Sequence, residues 1–237
     1  VSLEQRKPVF VGFDGLHRAG KGTQATLLRA AISQNGGKSI IVRGDGTREG
    51  LGVSEGDPYS NEWQTRSLRV KSPEGNTVEA WNAASYVLMR ELSEFRGTDQ
   101  FDAVIIDRTV LSRATFLLHR GVALEGERLT LDQLYPDNSS GEHEALDLAA
   151  TLPDVIFELK THAPSDLLKR LDDKDPKYTF RSRNIKGGFY PASIAKIHLP
   201  EDIEHRVIVI DASQEIETIH QEIKRSLGST ALGSLLR

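Results

Sequence analysis

The sequence predicts an α/β domain built on a doubly wound, parallel five-stranded sheet with helices on both faces. Three observations lead there. Five short apolar runs, 9–13, 38–43, 103–107, 154–159 and 206–211, alternate with helix-like stretches. The first run passes through a glycine-containing turn directly into a helical stretch, and the third ends in an acid beside an arginine. Strands that alternate with helices pair in parallel, because each crossover helix must pack back onto the sheet it left.

The turn after the first run reads Gly15-Leu16-His17-Arg18-Ala19-Gly20-Lys21-Gly22-Thr23-Gln24, and a helix is expected from Lys21 to about Gln34. A strand, a tight turn and a helix start form a phosphate cradle: backbone N–H groups converge on the anion and the helix N-terminus adds partial positive charge. Gly15, Ala19, Gly20, Lys21, Gly22 and Thr23 supply that cradle, with the Lys21 ammonium as the mobile charge for nucleotide β- and γ-phosphates. The pattern is a P-loop. It departs from the strict form in one place: Gly22 stands where Ser or Thr would ligate Mg²⁺, and Thr23 follows it. Gly-Lys-Gly-Thr-Gln resembles the adenylate kinase loop, which brings nucleoside monophosphate kinases forward.

The second strand is expected to end at Arg43, at the sheet edge where ligands of open parallel sheets bind, so Arg43 is a candidate anion contact. Residues 44–76 carry no sustained period and read as a long active-site loop. A helix is expected from Thr77 to about Phe95, with Trp81 and Tyr86 as candidates to stack on a base. The third run delivers Asp107 beside the P-loop, where a carboxylate orients hydrated Mg²⁺ or accepts a hydroxyl proton, and Arg108 offers a planar donor fork to phosphate oxygens. Ser112 and Arg113 follow in the first turns of the next helix, facing the same mouth. Residues 172–188 hold Lys174, Lys177, Arg181, Arg183 and Lys186 among few large apolar side chains, the composition of a phosphate-covering lid in which Arg181 or Arg183 acts. Ser213 is expected to cap the final helix, which runs through about Leu227, and the last ten residues to fray.

The 237 residues fit one domain, 1–237, with a substantial core. A net charge of −4 argues against a broad nucleic-acid-coating surface. The chain has no cysteine, which excludes disulfides, thiolate catalysis and zinc–thiolate sites. No apolar run approaches ~18 residues and no signal-peptide pattern is present, so a soluble, cytoplasmic enzyme with no membrane partner is expected.

Over nearly the whole chain the pattern resembles the thymidylate kinase family. Asp14 to Lys21 is similar to its P-loop, Arg43-Gly44-Asp45-Gly46-Thr47 to its Arg-Glu-Pro-Gly-Gly-Thr loop, and Asp107 to Ser112 to its Asp-Arg-Tyr-x-x-Ser signature. Pro153-Asp154 through Leu159 and Ile210-Asp211-Ala212 are similar to its last two strands. The resemblance implies that Lys21 and Arg18 polarise the transferring phosphoryl group, with Arg181 and Arg183 as lid alternatives. It implies that Arg43 and Arg108 hold the acceptor monophosphate, that Asp107 organises Mg²⁺ through water, and that the protein forms a homodimer. Two departures fall on acceptor recognition. His17 replaces the loop Asp that holds the sugar hydroxyl, and Asn82-Ala83-Ala84-Ser85-Tyr86 replaces Phe-Ala-Ala-x-Arg, leaving Asn82 and Tyr86 to contact the base.

The expected activity is ATP- and Mg²⁺-dependent phosphoryl transfer to a nucleoside monophosphate, dTMP or a related or modified pyrimidine monophosphate. Two alternatives stay open: a kinase acting on a nucleoside, another small molecule or a base in DNA, with Asp14 or Asp107 as base, and a nucleotide-binding regulator without turnover.

Overall fold

The computed structural model describes residues 7–16, 18–43, 48–49, 89, 92–109, 111–112, 114, 126, 128–134, 152–161, 164–169 and 198–236. In chain order the elements are β1 (Val9–Gly15), α1 (Lys21–Gln34), β2 (Ser39–Arg43), β3 (Arg48–Glu49), β4 (Ala103–Asp107), α2 (Leu131–Leu134), β5 (Val155–Lys160), α3 (Pro164–Lys169), α4 (Glu201–Glu204), β6 (Val207–Asp211) and α5 (Ile216–Leu227). A further helical turn covers 92–96. The sheet order is β3-β2-β4-β1-β5-β6. The five long strands are parallel, as their apolar runs predict, and the two-residue β3 adds an antiparallel edge to β2.

Buried on both faces, β1 needs apolar residues at nearly every position, which is why Val9 to Phe13 reads as a run rather than an alternation. Successive side chains still point to opposite faces. On one face Val9, Val11 and Phe13 pack with Ile105, Phe157, Leu28 and Ile32 of α1, and Ile223 and Leu227 of α5. Phe13 and Phe157 stack with ring centroids 5.6 Å apart. The opposite face joins Phe10, Ile40, Val42, Val104 and Ile106 to Leu92, Phe95 and Phe101. Each fully buried aromatic or branched side chain contributes on the order of 1.5–3 kcal/mol.

Arg96 locks the 92–96 turn to β1 and β5. Its guanidinium makes a two-pronged pair with Asp154 (2.8 and 3.0 Å), lies 3.9 Å over the Phe10 ring and donates to the Leu152 carbonyl at 2.7 Å. Asp154 also accepts the Phe10 N–H at 2.8 Å, so the Pro153-Asp154 pair fixes where β1 begins.

Two sequence expectations about the C-terminal end change. Ser213 does not cap α5; its N–H and hydroxyl both donate to Asp211 (2.9 and 2.7 Å), and the helix begins three residues beyond, at Ile216 after Glu215. The last residues do not fray through 236: Gly233–Leu235 forms a 3₁₀ turn, and Leu232 and Leu236 are buried in the α1–α5 core. Their apolar side chains find the open end of that core, which outweighs the missing helical period.

Candidate active site

β1 delivers the P-loop at the carboxyl end of the sheet, beside Asp107 at the end of β4. Gly15 adopts φ +135°, and a Cβ there would sit 2.4 Å from the Leu159 carbonyl oxygen, so only glycine lets the chain turn against β5. Arg18 also takes a left-handed conformation (φ 66°) and is exposed at the loop tip. Gly20 caps α1 with φ 98° and no side-chain cap, so the cap leaves the first-turn N–H groups aimed at the mouth. Ala19 is buried behind the loop, whereas Thr23 is exposed on the first turn of α1.

Lys21 folds back into the loop, donating from Nζ to the carbonyls of Gly15 (2.9 Å) and Leu16 (2.7 Å). It is only 6% exposed. Burial lowers its ammonium pKa from 10.5 to about 8; the Arg108 guanidinium adds to the effect, and the carboxylates of Asp107 and Asp14 oppose it. These four charges therefore share one environment, and phosphate oxygens would replace the solvation that burial takes from Lys21.

Asp107 pairs in register with Phe13 on β1 and Arg43 on β2. A Cβ on Gly22 would approach Asp107 Oδ2 to 3.8 Å, so the space that Ser or Thr fills in the strict motif opens onto this carboxylate. Among the described residues no group of three acidic or histidine side chains offers a direct metal cage. Arg108 follows with φ 76°, its N–H donating to the Phe13 carbonyl at 2.9 Å.

Asp14 and Ser112 come together with a partner that the sequence did not single out. The Asp14 carboxylate, 0% exposed, accepts the Thr109 N–H at 2.7 Å, the Thr109 hydroxyl and the Ser112 hydroxyl. This ties β1 to the chain immediately after Arg108 and sets where that arginine emerges. Gly12 makes room for it: a Cβ there would lie 2.4 Å from the Thr109 methyl group. Gln24 is a second unanticipated tie, donating from Nε2 to the Ile216 carbonyl at 2.9 Å and holding the start of α5 against α1. A third unanticipated residue is Glu158, an acid inside an apolar strand, 5% exposed and in register with Asp14. The break in that apolar run was its only sequence signal.

His17, Asn82, Tyr86, Arg113, the segment 172–188 with Arg181 and Arg183, and residues 44–47 and 50–76 lie outside the described residues; of Arg43 only the backbone, at the end of β2, is described.

No family model matches the chain. It is 26% identical over 230 residues to the thymidylate kinase of Chlorobaculum parvum, covering 92% of this chain and 95% of that protein. It is 24% identical over 234 residues to that of Tropheryma whipplei, covering 94% and 98%. In fold it is similar to the solved thymidylate kinase of Candida albicans, with a TM-score of 0.57 at 13% identity across 97% of this chain and 94% of that one. Similarity to thymidylate kinases thus runs end to end, and the P-loop and the Asp107-Arg108 strand end are both in place.

Proposed function

We propose that this protein transfers the γ-phosphoryl group of ATP to a pyrimidine nucleoside monophosphate, dTMP or a close relative, releasing ADP and the nucleoside diphosphate. The observation that carries the reading is the charge arrangement at the end of β1 and β4: Lys21, buried and stripped of water, with Asp107 and Arg108 around it.

Such a transfer asks the protein for position and charge neutralisation more than for covalent chemistry. The α1 N-terminus and loop N–H groups bind the β- and γ-phosphates, and Lys21 leaves its internal carbonyls to donate to them. A pyrimidine monophosphate already carries an ionised attacking oxygen, so no strong base is required; Asp14, with three donors on its carboxylate, serves to hold Thr109 and Ser112. Arg108, set by that anchor, and Arg43 at the end of β2 hold the acceptor phosphate. Arg18 at the loop tip, or Arg181 and Arg183 from the 172–188 segment, stabilises the charge that develops on the transferring group. His17, Asn82 and Tyr86 contact the acceptor's sugar and base. Asp107 would hold Mg²⁺ through water, and that ion, when bound, supplies charge neutralisation of the phosphates.

ADP release from ATP and Mg²⁺ tests the reading with dTMP, dUMP, 5-substituted dUMP analogues, other monophosphates, thymidine and single-stranded DNA as acceptors. Turnover that requires an acceptor monophosphate and falls at least ~10²-fold in Lys21→Ala is the expected result. Turnover on thymidine or DNA but on no monophosphate overturns it.

A further inference from the structure

The chain leaves β4 through a strained residue. Arg108 is left-handed, with φ 76°, a conformation that glycine or asparagine takes far more readily than arginine. Such a backbone persists only where its surroundings over-determine it, and here they do so from β1. The Arg108 N–H donates to the Phe13 carbonyl at 2.9 Å, and the next N–H, that of Thr109, donates to the Asp14 carboxylate at 2.7 Å. Consecutive N–H groups after β4 are thus held by consecutive residues of β1.

Thr109 is fastened by its side chain as well. Its hydroxyl donates to the same Asp14 oxygen, Oδ2, and accepts the Leu111 N–H at 3.4 Å. Its carbonyl accepts the Ser112 N–H at 3.1 Å, and the Ser112 hydroxyl takes the other Asp14 oxygen. Thr109 therefore joins the strained Arg108 to the helical turn that follows. Asp14 is 0% and Thr109 7% exposed, so water competes little for these bonds. Gly12 leaves the room that the Thr109 methyl fills. The Asp-Arg-Tyr-x-x-Ser signature that this stretch resembles has tyrosine at this place; a hydroxyl carried on Cβ, within reach of Asp14, is particular to Thr109.

The same few residues of β1 also carry the P-loop. Gly15 and Leu16, directly after Asp14, hold Lys21 Nζ through their carbonyls (2.9 and 2.7 Å). Burial lowers the Lys21 pKa and the Arg108 guanidinium adds to that effect, which brings the arginine head within charge range of the loop. Residues 13–16 thus hold the loop for the donor phosphates on one side and the Arg108 backbone on the other. Thr109 is where the second is fastened.

We infer that Thr109 is a positioning residue for the acceptor phosphate: through the Asp14 carboxylate, its hydroxyl holds Arg108 at a fixed place relative to the P-loop. This rests on the function proposed above. Phosphoryl transfer needs the acceptor oxygen close to the γ-phosphorus and in line with it, and Thr109 governs that spacing without touching either nucleotide.

The test is a cycle of Thr109→Val and Arg108→Met, alone and together, read as kcat/KM for dTMP, KM for ATP and dTMP affinity by calorimetry. Valine keeps the volume and the backbone N–H and removes the hydroxyl alone. Expected for Thr109→Val is a roughly tenfold loss of kcat/KM for dTMP, with the ATP KM within about twofold of the wild type. Thr109→Ser, which keeps the hydroxyl, restores kcat/KM to within about threefold. Added to Arg108→Met, Thr109→Val changes dTMP affinity by less than about twofold, because it acts through the arginine. An unchanged kcat/KM for dTMP in Thr109→Val overturns the inference. So does an equal loss with and without Arg108, or a parallel rise in the ATP KM, which would mark general loosening. Each of these leaves the kinase reading intact. If Thr109→Val does not fold, the cycle is run with Thr109→Ala and read in the same way. Wild-type silence on every monophosphate overturns both.

Discussion

Replacing Lys21 by methionine removes a charge that the P-loop holds in an unfavourable place. Burial together with Arg108 lowers its pKa from 10.5 to about 8, a change of about 2.5 units, or roughly 3 kcal/mol of cost to the folded state when the group is charged. The sign follows from proton counting. Between pH 8 and 10.5 the unfolded chain holds the Lys21 proton and the folded protein has released it, so wild-type stability rises with pH across that window. Below pH 8 the full cost is present; above 10.5 it is gone. Methionine has a similar length and carries no charge, but the carbonyls of Gly15 and Leu16 lose their donor, which returns about 1–2 kcal/mol. Net, the ligand-free variant is expected to be about 1–2 kcal/mol more stable at pH 7, a rise of several degrees in melting temperature. Urea unfolding of both proteins from pH 7 to 10.5 checks it, because every other titrating group cancels in the difference. The advantage of the variant should shrink as pH rises, and ATP should stabilise the wild type alone. A pH-independent difference, or a variant less stable at pH 7, would refute the argument that Lys21 is held charged against its solvation.

Three further predictions probe the surrounding structure. Gly15→Ala forces a Cβ to within 2.4 Å of the Leu159 carbonyl at a φ of +135°, so it should lower stability by more than about 2 kcal/mol in urea melts; a smaller loss would mean that β5 moves aside freely. Asp14→Asn leaves one of three buried donors without an acceptor, for an expected loss of about 1–3 kcal/mol and a higher acceptor KM as Arg108 loosens; unchanged KM would separate Asp14 from Arg108. Glu158, with its pKa raised by burial, contributes stability in full below pH 4.5 that is lost as pH rises through its folded pKa. Glu158→Gln should therefore gain on the wild type as pH climbs from 4.5 toward neutrality, and a flat difference in melting temperature would contradict the burial of that carboxyl.

Some of this protein was legible in the chain itself. Strands buried on both faces must be apolar along their length, so β1, β2, β4, β5 and β6 announce themselves as runs. A loop that turns on φ > 0 and opens a helix needs glycine at set spacings, so the P-loop does the same. An acid that ends an apolar strand stands out for the same local reason, and Asp107 sits where that logic puts it, at the end of β4 in register with Phe13 of β1.

What the tertiary structure decided has no local signature. Asp14 meets Thr109 and Ser112 from 95 and 98 residues away, and Arg96 reaches Asp154 across 58. Nothing in the spacing of those residues encodes the meeting; it follows from β1 lying between β4 and β5. The same strand order sets Glu158 beside Asp14, which no periodicity could indicate. The terminal Leu232 and Leu236 look like a tail in sequence because ordered structure there comes from the exposed end of the α1–α5 core. Periodicity reports which faces of the chain are apolar. Which buried polar groups face one another depends on strand order, and only the assembled sheet supplies it.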